Sequence, residues 1–288
     1  MDNKQPHKGN KRCKMKNKND IFKCDCHVHP DYSIDARGRA EEFVKEAIRK
    51  GLKRICFTTH IDLDPILSTY DPYIRFRGRL YRLADEYIIE YKNELINLKK
   101  IYEGRIEVIW GFEFSYGLHF EQKIRDFVEK FRPEFTIGSI HALDGIEITS
   151  SEFKDLASRI FEINSFIPKY YDMIVSLAAS GIFDVVGHID GYKKYLGLYW
   201  GISRCEELEA KFLPQIAAEL KALNMPIELN TAGLRRELKS TYPSETALKI
   251  LLEHGVRVAT VGSDAHSPEQ VGEGFDIAEE LLKGVIYD

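Results

Sequence analysis

The chain has 288 residues, 44% hydrophobic and 30% charged, with a formal net charge of −4. A chain this long can bury a sizeable core without disulfides, and its composition is ordinary for a soluble globular protein. A charge this close to neutral gives no overall pull toward nucleic acid or an anionic membrane surface, and no apolar run approaches the ~20 residues of a membrane span.

Residues 1–20, MDNKQPHKGNKRCKMKNKND, are basic and nearly free of large apolar side chains. They are expected to form a disordered tail. They lack the apolar core of a secretory signal. A cytoplasmic location is therefore expected, with the 5 cysteines (13, 24, 26, 56 and 205) reduced and in no disulfide framework.

From residue 21 to 288 a single domain is expected, in which two textures alternate. The β-branched run IFKCDCHVH reads as a first strand, followed by the amphipathic GRAEEFVKEAIRKG, a helix stopped by Gly51. KRICFTTH is the second strand, and RLYRLADEYIIEYKNELINLKKIY, residues 79–102, reads as one long helix. RIEVIWGFEF, FTIGSIHAL, FDVVGHID, PIELNT and VRVATVGSDAH follow as strands, separated by helices over 120–131, 165–180, 205–223 and 243–254 and closed by one over 268–283. Such alternation predicts a parallel sheet covered by helices, either a doubly wound open sheet or a closed barrel. The first strand-to-helix turn carries no GxGxxG or Walker loop, so a nucleotide-binding open sheet is disfavoured.

The chemistry collects at the strand ends. His27 and His29, His60, Glu113, His141, His188 with Asp190, and Asp264 with His266 all close a predicted strand. Of the 9 histidines, only His7, His119 and His254 lie elsewhere. In a barrel of parallel strands these ends meet at one mouth, where active sites are built. One histidine on a strand is more often a satisfied core residue than a ligand. A set of imidazoles and carboxylates at one mouth is instead the donor set of Zn²⁺, Fe²⁺ or Mn²⁺, and it is large enough for two or three divalent ions. Strict strand alternation puts Asp25, His27 and His29 on one face and Cys24, Cys26 and Val28 on the other. With the histidines facing the barrel interior, the cysteines would pack outward, in the strand–helix layer, as small hydrophobes.

With these residues placed, the chain resembles the PHP (polymerase and histidinol phosphatase) superfamily over about residues 21–284. The motifs run in order: HVH at 27–29, TTH to His60, GFEF around Glu113, GSIH to His141, GHID at 187–190 and GSDAH at 262–266. The resemblance implies an α/β fold, a distorted (β/α)7 barrel of PHP type. The stretches HVHPDYSIDA, GSIHALDG and ELNTAGLRRE are most similar to the monofunctional histidinol-phosphate phosphatases. That subfamily often carries a phosphate-gripping Arg after GHID, where this chain has GYKKY, so Lys194 would have to serve. The resemblance further implies His27, His29, Glu113 and Asp264 around a first metal, with Glu113 bridging to a second held by His141 and His188. His60, His266 and Asp35 would hold a third.

The expected activity is metal-dependent hydrolysis of a phosphate monoester, L-histidinol phosphate first, with a nucleotide, sugar phosphate or phosphotyrosine as alternative substrates. Glu113 and Asp190 are the catalytic candidates, with Asp144 a further possible proton donor. Arg235 is the first choice for the phosphate clamp, with Arg236 and Lys194 behind it. The partner is thus a small phosphate ester rather than nucleic acid or membrane. A catalytically dead module is disfavoured because every metal position holds a competent ligand. A metal-dependent amidohydrolase is disfavoured by the strand count and by Glu113 as the bridge. The loops 64–80, 144–160 and 191–204, rich in Tyr and Arg, are expected to set specificity.

Overall fold

A computed structural model describes residues 18–67 and 73–287. Residues 1–17 of the basic stretch lie outside it, while residues 18–20, expected to be tail, begin a 3-10 helix over Lys18–Lys23 that leads into the first strand.

The strands, in chain order, are β1 (Cys24–Val28), β2 (Arg54–Ile61), β3 (Tyr73–Phe76), β4 (Arg79–Arg82), β5 (Glu107–Ser115), β6 (Phe135–Ser139), β7 (Ala142–Leu143), β8 (Ile146–Glu147), β9 (Val185–Val186), β10 (Ile227–Asn230) and β11 (Val258–Gly262). The helices are α1 (Ala40–Arg49), α2 (Asp85–Ile101), α3 (Glu121–Phe131), α4 (Lys154–Ile160), α5 (Ile163–Ser180), α6 (Leu196–Trp200), α7 (Ile202–Ala222), α8 (Glu245–Glu253) and α9 (Phe275–Tyr287). No helix among the described residues is long and apolar enough to cross a membrane.

Seven strands form one sheet in the order β1-β2-β5-β6-β9-β10-β11, and every pairing along it is parallel. The edges β1 and β11 come together through a parallel bridge between Val28 and Ala265, where His29 N donates to Ala265 O at 2.8 Å. The sheet is thus nearly closed into a barrel, as the alternation of strands and helices requires. Outward residues such as Ile55, Phe57, Phe112, Phe114, Leu229 and Val261 are buried under helix residues such as Phe43, Val44, Leu177 and Leu248 in one continuous core. Helix α1 shows the local logic: its apolar stripe of Phe43, Val44 and Ala47 is buried, and Glu42 reaches back to accept from Arg39 N at 2.6 Å, satisfying a free donor at the helix start.

The cysteine expectation is overturned by a bulge. β1 pairs with β2 as Asp25↔Ile55 and then as Val28↔Phe57, so three steps along one strand match two along the other. The extra residue resets the alternation. Asp25 turns outward to the β1–β11 seam, accepting from Ser263 N at 2.9 Å and Gly272 N at 2.8 Å. Cys24 and Cys26 turn inward and pack with Cys56, Ile109, Phe135, Ile137 and Val185. That cluster is inside the barrel, because Ile109 lies on the same face of β5 as Glu113, and Ile137 on the same face of β6 as Ser139, whose hydroxyl donates to Glu113 at 2.6 Å. His27 and His29 face inward above this apolar floor.

Two other expectations change. The run from Arg79 is not helical at first. β3 and β4 form a hairpin through Arg77 (φ 49°) and Gly78 (φ 76°), both left-handed, and α2 starts only at Asp85. The last helix starts at Phe275 rather than 268, because Gly272 (φ 64°) and Gly274 (φ 78°) break the path after a 3-10 turn over Pro268–Gln270. The hairpin β3–β4, the small β7–β8 hairpin and the short helices α4 and α6 are additions to the expected order.

Candidate metal centre

The structure brings together all the residues expected to bind metal. Glu113, buried at the end of β5, is the hub. Its Oε2 lies 3.2 Å from His27 Nε2, 3.5 Å from His29 Nε2 and 3.0 Å from His60 Nδ1. Its Oε1 lies 2.8 Å from His188 Nε2 and 3.2 Å from His141 Nε2. Asp264 Oδ1 stands 3.3 Å from His29 Nε2, 3.4 Å from His266 Nδ1 and 3.8 Å from His27 Nε2. Asp35, in the loop after β1, brings Oδ2 to 3.1 Å from His266 Nε2 and 3.9 Å from His60 Nε2. His7 lies outside the described residues. His119 pairs with Asp64 at 3.1 Å, and His254 Nδ1 lies 2.8 Å from the backbone oxygen of Ile250, both away from the cluster.

These residues fit divalent ions. His27 Nε2, His29 Nε2 and Glu113 Oε2 are buried without a hydrogen bond although they face one another. Buried polar atoms are normally satisfied, so such convergent orphans call for a partner. Three groups each bring their donor atoms within 4.8 Å of one another: His27, His29 and Asp264; His29, His60 and His266; His60, Glu113 and His141. Imidazole nitrogen and carboxylate oxygen suit Zn²⁺, Fe²⁺ and Mn²⁺ alike. No cysteine belongs to these groups, which sit above the thiol floor.

Positive imidazoles and carboxylates balance one another across the cluster. Burial opposes charge on His27, but Glu228, Glu113 and Asp264 outweigh it and hold the imidazolium well above its usual range. Burial also opposes charge on His60, and Glu113 and Asp35 raise it to about 9. His29 is pushed well below its ordinary value, by burial and then by His60 and His266. Glu113 is held well below the carboxylate range despite its burial, by His27, His141 and His60.

The other expected residues divide. Asp190 does not join the cluster. Its Oδ2 accepts from Lys193 Nζ at 2.9 Å and from Ser244 N at 2.9 Å. Lys193 Nζ also meets Glu209 Oε2 at 2.6 Å, and Tyr171 and Tyr192 donate to Glu209 Oε1, all inside the protein. Asp190 is thus held through Oδ2 in a buried ion network, while its Oδ1 is buried without a hydrogen bond. Asp144 pairs with Lys169 at 2.5 Å on the exposed surface. Arg235 donates through Nη2 to the carbonyls of Ser263 (2.7 Å) and Asp264 (3.1 Å), bracing a turn in which Asp264 has a left-handed φ of 52°. Lys194 donates from Nζ to the carbonyl of Thr149 at 2.6 Å. Burial, then the neighbouring positive charge of Arg236, lowers its ammonium to about 8, while Asp264, Asp35 and Glu113 pull the other way.

Sequence reasoning missed the residues that orient the histidines. Glu228 Oε1 lies 2.8 Å from His27 Nδ1, Ser115 Oγ lies 2.9 Å from His141 Nδ1, and Ser33 Oγ lies 3.4 Å from His29 Nδ1. A carboxylate in the middle of the apolar run PIELNT was a readable signal, since an acid inside a barrel strand needs a buried partner.

Fold and donor set together define a metal-binding barrel of parallel strands. A family profile described as "PHP domain" matches residues 25–232, and the chain belongs to that family. It is 27% identical over 263 residues to a Deinococcus radiodurans protein named "Probable histidinol-phosphatase", covering 91% of this chain and 93% of that one. It is 26% identical to the "Histidinol-phosphatase" of Bacillus subtilis, covering 88% and 97%. Among solved structures, the histidinol phosphate phosphatase of Lactococcus lactis, complexed with Zn, L-histidinol and phosphate, superposes with a TM-score of 0.68 at 22% identity, covering 91% of this chain and 93% of that one.

Proposed function

We propose that this chain is a histidinol-phosphate phosphatase, a metal-dependent phosphoric monoester hydrolase. It converts L-histidinol phosphate and water to L-histidinol and phosphate in the histidine biosynthesis of the cytoplasm. The observation that carries the reading is Glu113, one buried carboxylate within 3.5 Å of five imidazoles at the barrel mouth. The substrate is supported by the names of relatives aligned over most of both chains.

Divalent ions held by His27, His29, Asp35, His60, Glu113, His141, His188, Asp264 and His266 would supply Lewis acidity toward phosphoryl oxygens and water. The chain's own part is positioning and charge, the main requirement of phosphoryl transfer. Glu113 holds its five imidazoles in one arrangement. Lys194 and Arg236 offer positive charge to the phosphate, and Arg235 keeps Asp264 in place from behind. The sequence ranks Arg235 first among these cations, and its Nη1, buried without a hydrogen bond, keeps it a candidate beside Lys194 and Arg236.

The test is phosphate release from L-histidinol phosphate beside nucleoside monophosphates, sugar phosphates and phosphotyrosine, with and without chelator. A kcat/KM for histidinol phosphate well above the others, lost with chelator, is expected. Chelator-sensitive hydrolysis of another ester with histidinol phosphate untouched would overturn the substrate while leaving the site.

Lys194 adds a pH signature. Its ammonium, lowered to about 8 chiefly by burial, carries charge below that pH and loses it above. KM for the phosphate ester should therefore climb as pH passes about 8, while Lys194→Gln should show a KM raised roughly 10-fold at neutral pH, the scale of one charged hydrogen bond. Lys194→Arg should flatten the climb. A wild-type KM independent of pH between 7 and 9.5 would rule out this role.

A further inference from the structure

Glu228, on β10, lies in none of the three donor groups, yet it touches His27 of one group, on β1, and the backbone of His188 just beyond β9. Its Oε1 sits 2.8 Å from His27 Nδ1, the nitrogen on the far side of the ring from the cluster. Its Oε2 accepts from His188 N at 3.1 Å and from Asn230 Nδ2 at 3.2 Å. Both oxygens are thus committed as acceptors, and the side chain is fully buried.

The neighbouring backbone is cut away to admit this carboxylate. A Cβ at Gly262, on β11, would stand 2.1 Å from Glu228 Oε1 and 2.4 Å from His27 Cβ. A Cβ at Gly187, on the other side, would meet Ser139 Oγ at 2.5 Å and approach Glu228 Oε2 at 3.6 Å. The glycine at 262 therefore leaves room for the acid beside His27, whereas the one at 187 leaves room for Ser139 and Ile137.

We infer that Glu228 is a positioning residue for metal binding: it holds the proton of His27 on Nδ1, leaving Nε2 to face the ion, and it anchors the backbone of His188 at the same time. The hydrogen bond at one imidazole nitrogen decides which tautomer the other presents, and carboxylate partners of ligand histidines typically tune metal affinity. The inference rests on the reading of the site as a metal centre.

Glu228→Gln is the sharpest test because it keeps the shape and removes one acceptor. Its amide NH₂ must face either His27 Nδ1, which drives the ring proton onto Nε2, or the donors of His188 and Asn230. Zn²⁺ affinity and stoichiometry are read by competition with a chromophoric chelator, without substrate. The variant should bind its tightest Zn²⁺ about 10- to 100-fold more weakly than wild type. In a His27→Ala background most of that further loss should disappear, which a merely structural role would not produce. Asn230→Ser, which removes the Nδ2 donor that lies 3.2 Å from Glu228 Oε2 and 3.5 Å from both His27 Nδ1 and Asp264 Oδ2, should shift affinity in the same direction by a smaller factor and serves if Glu228→Gln does not fold. Zn²⁺ binding unchanged in the folded variants, or an undiminished loss in the His27→Ala background, overturns the inference. A wild-type chain that binds no Zn²⁺, Fe²⁺ or Mn²⁺ overturns the metal-centre reading itself, and this inference with it.

Discussion

Glu113→Gln should lose at least on the order of 10²–10³-fold in kcat/KM, the scale of removing one preorganised electrostatic group, and should lose bound metal in the same sample. The reason lies in how many donors the carboxylate organises. One oxygen faces His27, His29 and His60, and the other faces His141 and His188. Glutamine keeps one acceptor oxygen but presents an NH₂ group to the second set of imidazoles, and it removes the negative charge that offsets cations at the mouth. The effect should exceed that of changing any one histidine, since each histidine serves a part of the cluster and Glu113 serves both sides. Parallel measurement of kcat/KM and of metal content by elemental analysis checks it. Full metal content with full activity in the variant would remove Glu113 from the centre of the site.

Lys193→Met should destabilise the fold by about 3–5 kcal/mol, the cost of stranding buried charge when one partner is removed. Lys193 is fully buried and meets Asp190 Oδ2 at 2.9 Å, Glu209 Oε2 at 2.6 Å and Ser244 Oγ at 2.9 Å. Burial disfavours its charge, but Asp190 and Glu209 outweigh burial and keep the ammonium protonated. Methionine fills similar volume, so the loss isolates charge rather than packing. Whole-domain stabilities are commonly about 5–15 kcal/mol, so the variant should unfold at much lower urea. Adding Glu209→Gln to Lys193→Met should recover part of the loss by removing one stranded carboxylate. A single-variant loss below about 1 kcal/mol in urea denaturation would show that the network does not rely on the ammonium. Because Asp190 and Lys194 flank this lysine, the variant also tests whether the loop that carries His188 is held from beneath.

The sequence made the barrel and the cluster legible for different reasons. The seven sheet strands stood out because a parallel strand buried on both faces must be a nearly continuous apolar run, and RIEVIWGFEF and VRVATVGSDAH have that form. The histidines stood out because polar residues closed those runs at the end where a barrel gathers its loops. The orientation of Cys24 and Cys26 was hidden by a single extra residue in β1, which no alternation rule can locate without the partner strand. The β3–β4 hairpin was hidden because Arg79–Arg82 runs without a break into a true helix. Its signal was Arg77-Gly78, a pair suited to two left-handed residues. Asp190 and Arg235 were legible as residues at strand ends, but the partners they meet there were not. Strand position says where a side chain starts, and only the packing around Lys193, Ser244 and Asp264 says where it finishes.

The closure between β1 and β11 has a mechanical side. This joint rests on the Val28–Ala265 bridge, with His29 N donating to Ala265 O and Ala265 N to His27 O, and on Asp25 reaching across to Ser263. The proposed metal ligands straddle the same joint, with His27 and His29 on one bank and Asp264 and His266 on the other. An ion bound there acts as a rivet across the hoop's open link. Its binding free energy adds to the work needed to spring the barrel apart, growing with ion concentration as RT ln(1 + [L]/Kd). Mouth and hoop are then one device, and scarcity of metal would slacken the fold at the same place where it silences the chemistry.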